Sequence, residues 1–215
     1  MSFSLKNLPE RSAKPRAEGI TLVLDKGYSV RQAEDLVEVC SGHIDIVKLG
    51  WGTSYVTQGL EEKIKVYQNA GIPVYFGGTL FEAYLMRNQL SDYRKLMERY
   101  DITHVEVSNG TILLSDEKKQ AIIKELSNDY TVYSEVGSKN PNEIIPPYKW
   151  VRTIQQELEA GSEKVICEAR ESGTVGMFLL KSLEIFELPD QNLQYRIFQE
   201  RMLGAQECRR IVEIA

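Results

Sequence analysis

Four carboxylates, two lysines and an arginine stand at the ends of short apolar runs. They are Asp25 in LVLDKG, Lys48 in DIVKLGWGT, Glu106 in VEVSNGT, Glu135 and Lys139 in YSEVGSK, and Glu168 and Arg170 in VICEARESGT. If these runs are strands whose ends converge, the groups share one mouth, where like charges raise one another's pKa values unless cations offset them. A divalent metal with the nearby Lys and Arg would balance the set. Oxygen donors without His or Cys pairs suit Mg2+ better than Zn2+.

Small-residue turns follow the same runs: GWGT, the GGT holding Gly77 and Gly78, the NGT that opens with Asn109, and ESGT. Each has two readings, a tight turn needing positive φ or a backbone approach to an anion with Thr hydroxyls nearby. Other groups also stay open. Asp25 and Lys48 would form a salt bridge across adjacent strands, or Lys48, if desolvated, a Schiff base. Trp51 would wall a pocket or, as packing favours, lie beneath a helix. His43 and His104 precede strands, which argues against a histidine-based mechanism.

The elements that must position these groups alternate along the chain. Strands are expected over 19–24, 44–49, 72–76, 103–107, 131–134 and 164–167. Helices are expected over 30–40, 61–69, 80–99, 116–126 and 148–160, with Ser29 as an N-cap and Gly71 as a helix stop. Strands separated by helices imply parallel pairing with right-handed crossovers. The fold class is α/β, a TIM (β/α)8-type barrel, with catalytic groups at the C-terminal face.

The rhythm breaks near the end. Between Glu168 and EIFELP the connection is too short for an ordinary crossover helix. A helix is expected over 190–210 with Leu193, Ile197 and Met202 on its apolar side, and 211–214 as a stub of an eighth strand. The barrel is therefore expected to be incomplete or modified at units 6 to 8, and 1–18 to be an irregular arm on a single barrel domain spanning 1–215.

With 215 residues, 42% hydrophobic and 27% charged, the chain suffices for one sizeable core. A formal charge of −5 offers no basic field for a nucleic acid. No segment approaches the about 20 apolar residues of a membrane span, and a soluble, cytoplasmic protein is expected. Cys40, Cys167 and Cys208 lack zinc or disulfide spacing, so reduced thiols, mostly buried, are expected.

The consecutive motifs KPRAEG, LVLDKG, DIVKLGWGTS, FGGTLFE, VEVSNGT, SEVGSK, EKVICEARESGT and IFELP resemble the phosphosulfolactate synthase family, which has a heat-stress-associated branch. The resemblance runs over about 14–176. It implies a TIM barrel and Mg2+-dependent addition of sulfite to phosphoenolpyruvate, giving phosphosulfolactate, a carbon–sulfur lyase acting in the synthase direction in sulfonate metabolism of the coenzyme M biosynthesis type. It implies Lys139 as general acid, with Lys48 the second candidate, and Glu106, Glu135 and Glu168 as Mg2+ ligands. Arg170 would bind phosphate or sulfite, and Asp25 would orient Lys48 or a metal-bound water. Gly77, Gly78 and Asn109 join Arg170 and Asp25 as substrate-binding candidates. Here FEAP reads FELP, and the family's last glycine-, proline- and asparagine-bearing signature is absent. A second reading follows: a non-catalytic or altered member, acting as a binding or stress-related protein and closing an open strand edge as a homo-oligomer.

Overall fold

The computed structural model describes residues 11–137, 145–167, 195–199 and 210–214. Helix α1 (Val30–Cys40) shows why these segments fold as they do. Ser29 accepts from the Gln32 N–H while the Gln32 side chain accepts from the Ser29 N–H, a reciprocal capping box that satisfies two end donors. Helix α6 (Pro147–Glu159) starts on a proline, whose missing N–H costs nothing at a first turn.

Strands β1 (Leu22–Asp25), β2 (Ile46–Leu49) and β3 (Val74–Phe76) form one parallel sheet in that order. Between them lie α1 and α2 (Leu60–Asn69). Two helices, α3 (Gly78–Leu85) and α4 (Leu90–Arg99), occupy the region expected as 80–99. Strands β4 (His104–Val107), β5 (Thr131–Val136) and β6 (Lys164–Cys167) are again parallel, with α5 (Asp116–Leu126) and α6 between them.

The C-terminal expectation of a helix over 190–210 is overturned where that range is described. Tyr195–Gln199 is β7 and Arg210–Ile214 is β8, and both pair antiparallel, β8 on β6 and β7 on β8. The reason is compositional: YRIFQ and RIVEI concentrate aromatic and β-branched residues, and a free sheet edge at β6 lets them pair. The 211–214 stub is thus a strand, set against the direction that an eighth barrel unit would take. Leu193 and Met202 lie outside the described residues.

The architecture is α/β with two largely parallel sheets. Among the described residues no ladder joins β3 to β4, yet one hydrophobic core runs from Leu22 and Val47 through Phe76 and Tyr93 to Val105 and Val132. A smaller cluster of Val136, Trp150, Ile154, Val165 and Cys167 seats α6. Cys40 and Cys167 are free thiols, the first partly and the second fully buried, and Cys208 lies outside the described residues. No described helix is long and apolar enough to cross a membrane.

Candidate active site

Strand parity decides which charged groups meet. Cross-strand partners in a sheet share a face, and successive residues alternate. Lys48 is in register with Leu24 and with Tyr75, whereas Asp25 is in register with Leu49. Lys48 and Asp25 therefore project to opposite faces. On the second sheet Glu106 is in register with Tyr133, and the Tyr75 and Tyr133 rings meet edge to face at 5.6 Å. That inner layer brings Lys48 and Glu106 together across the boundary between the sheets.

Lys48 Nζ lies 2.6 Å from each carboxylate oxygen of Glu106 and 3.7 Å from Oε2 of Glu135. All three side chains are buried. The N–H of Gly78, at the start of α3, donates to Glu106 Oε1 at 2.8 Å. The glycines here exist for close approach, since neither Gly77 nor Gly78 has positive φ. A Cβ on Gly77 would stand 2.9 Å from Lys48 Cε, and one on Gly78 would stand 2.1 Å from Ser108 Oγ. The positive-φ reading holds instead at Gly52, where φ is 68°.

Asp25 corrects the expectation that it pairs with or orients Lys48. On the outer face it makes an ion pair with Lys63 at 3.0 Å and accepts from the Tyr67 hydroxyl and the N–H groups of Gly27 and Tyr28. It is fully buried, and it ties the β1 turn to α2. Lys63 and Tyr67, four apart on one helix face, were the available signal. Burial pushes the Tyr67 hydroxyl pKa well up, with Asp25 adding to the rise.

Trp51 is a second correction. It is half exposed, with Lys26 Nζ 4.6 Å above its ring, rather than packed beneath a helix. Its φ of 55° places a non-glycine residue in the left-handed region. His104 begins β4, at the opposite end from the site, as expected.

Two buried groups carried no strand-end signature. Lys119 on α5 donates to the Glu135 carbonyl at 2.6 Å and lies 2.6 Å from Glu157 Oε1. Burial raises the Glu157 pKa against the opposing pull of Lys119. Glu82 on α3 accepts from Ser108, Gly110 and Thr111. A cavity of about 180 Å3 opens where β4 and β5 end, lined by Asn109, Gly110, Lys119, Gly137, Lys149 and Glu157 among others. A larger one, of about 710 Å3, lies at the strands' starting ends against Arg16, Asp45 and His104, away from the grouped carboxylates. Lys139, Glu168 and Arg170 lie outside the described residues.

For a metal, Glu106 and Glu135 bring two buried carboxylates to one ammonium, a surplus of negative charge with oxygen donors, which suits a hard divalent cation. Among the described residues no cluster of three His, Cys, Asp or Glu residues is placed to hold a metal. A further ligand would have to come from elsewhere.

The sequence profile of the family described as (2R)-phospho-3-sulfolactate synthase (ComA) matches residues 9–187. The chain belongs to this family. Its relatives include the Phosphosulfolactate synthase of Bacillus subtilis, 37% identical over 203 residues, 94% of this chain and 80% of that one. That of Methanothermobacter thermautotrophicus is 34% identical, over 96% of this chain and 84% of its own length. That of Methanocaldococcus jannaschii is 39% identical over 74% of this chain and 66% of that protein. A solved 2,3-dimethylmalate lyase superposes with a TM-score of 0.45 at 11% identity, covering 67% of this chain and 55% of that one, too shallow a likeness to bear on the reaction. The ComA match includes the motif positions Lys48, Glu106, Glu135, Lys139, Glu168 and Arg170, and it stops short of β7 and β8.

Proposed function

We propose that this protein is a phosphosulfolactate synthase, adding sulfite to phosphoenolpyruvate at the C-terminal ends of β2, β4 and β5. The observation that carries the reading is the buried Lys48–Glu106–Glu135 group, built from three of the family's motifs. The two sheets form the wall of a TIM-type barrel in this reading, modified where β8 runs antiparallel on β6.

The reaction needs no leaving group. The sulfite sulfur forms a bond to the methylene carbon, the alkene pair shifts toward the carboxylate, and the phosphate-bearing carbon takes a proton. Charge accumulates on the substrate carboxylate, where fixed cations lower the barrier. Mg2+, bound through Glu135 and Glu106 with Glu168, would stabilise that charge as a Lewis acid. Lys48 holds the two carboxylates at fixed spacing. Lys139 delivers the proton, with Lys48 the second candidate, and Arg170 binds an anionic oxygen of phosphate or sulfite through its planar fork. Because Lys48 is engaged by two carboxylates, the ion-paired role outranks a Schiff base.

The test is a coupled assay of phosphoenolpyruvate with sulfite, with and without Mg2+. Turnover that requires all three is expected. No turnover by well-folded protein would move the assignment to an altered family member, which the antiparallel β7–β8 pair favours. In that case an association of chains through the β7 edge is expected, read by mass in solution.

A further inference from the structure

The groups above come from strand ends, but the loop beside them is held from a helix. Glu82 is 1% exposed, in the second turn of α3. Its carboxylate accepts from the Ser108 hydroxyl, from the N–H of Gly110 at 3.0 Å, from the N–H of Thr111 at 2.8 Å, and from the Thr111 hydroxyl. All four donors belong to the loop that leaves β4. A buried carboxylate is costly unless its bonds are made, and here every one of these donors comes from a single loop.

The same helix reaches the ion-paired centre. Gly78 stands four residues before Glu82, on the same helix face, and its N–H donates to Glu106. One rigid turn of α3 thus sets both the Glu106 carboxylate and the Ser108–Thr111 loop. Asn109 and Gly110 of that loop line the cavity that also holds Lys119 and Lys149. With its Gly110 and Thr111 amides spent on Glu82, the loop offers the cavity the Asn109 side chain, whose amide also donates to the Leu114 carbonyl at 3.4 Å.

We propose that Glu82 is a positioning residue: it clamps the Ser108–Thr111 loop so that Asn109 meets a phosphorylated, carboxylate-bearing substrate in register with Glu106. The proposal rests on the synthase reading for the identity of that substrate. It touches binding geometry rather than the reacting carbons. Its loss therefore raises KM for phosphoenolpyruvate and leaves kcat largely intact.

The experiment compares wild-type protein with Glu82→Gln, by steady-state kinetics and by amide hydrogen exchange. Hydrogen bonds to a charged group are worth enough that KM should rise about ten- to hundredfold, with kcat held within about threefold. Exchange should quicken at Gly110 and Thr111 and stay unchanged in β4. Unchanged exchange at both amides, or a fall in kcat at constant KM, overturns the proposal. If Glu82→Gln does not fold, Ser108→Ala with Thr111→Val removes the two hydroxyl donors and spares the amides. A several-fold rise in KM is then expected, and a wild-type KM overturns the clamp. Wild-type protein without turnover defeats the synthase reading alone, because the clamp is still read from exchange at Gly110 and Thr111.

Discussion

Lys48 on β2 places its Nζ 2.6 Å from both carboxylate oxygens of Glu106 on β4, across a boundary where β3 and β4 share no ladder. A side-chain ion pair here joins what the backbone leaves apart. Replacing Lys48 by Met should leave Glu106 buried without its cation, at a cost of about 3–5 kcal/mol. Denaturant unfolding measures it. Adding Glu106→Gln to Lys48→Met should recover part of that loss, and a purely additive double variant would mean that the pair is not coupled.

Gly78→Ala tests the close approach between α3 and β4. The added methyl would meet Ser108 Oγ at 2.1 Å and Glu106 Oε1 at 2.6 Å. Neither neighbour can retreat without breaking a bond to Glu82 or Lys48. A destabilisation of about 1–3 kcal/mol is expected from such overpacking, with synthase activity falling in the same variant. A melting temperature and activity equal to wild type would show that α3 sits further from β4.

Much of this fold was legible because its six parallel strands are short, apolar and separated by helical segments. Lys164–Cys167 and Val30–Cys40 fall where the pattern placed them. The C-terminal strands were not legible, because YRIFQ fits a helical apolar spacing as well as a strand, and only the open edge of β6 decides between them. At the site, Lys48, Glu106 and Glu135 were visible as charges ending strands and do come together. Asp25 carried the same signal and faces the other way, since a strand-end position says nothing about parity until register is known. Lys119 acts from a helix, where a single charged residue looks like solvated surface, and Glu82, also on a helix, closes the FGGTLFE motif but was given no role there.

The pH response of stability should carry a His104 component. Burial holds the ring pKa below its ordinary value, and Glu163 opposes this only partly. In the unfolded chain the ring protonates near pH 6.5, so below that pH the unfolded state binds more protons than the folded one. The stabilisation is complete above about pH 6.5 and is lost as pH falls through the depressed folded value. Unfolding free energies from pH 7.5 down to 5.5 should decline less steeply in His104→Gln than in wild type. Parallel curves would place the ring in open solvent.

Cys167 should resist thiol reagents for as long as the fold persists. It closes β6, in register with Val136, and is fully buried. Burial drives its thiol pKa well up, and the nearby Glu157 and Glu135 charges add to the rise. Thiolate is the reacting species, so both access and ionisation work against modification. Cys40, partly exposed at the end of α1, has the more open position. Iodoacetamide labelling at pH 8 followed by peptide mass spectrometry should modify Cys40 before Cys167. Cys167 should follow only at the rate of unfolding, and promptly in denaturant. Equal labelling of the two in native protein would mean that β6 opens locally from β5.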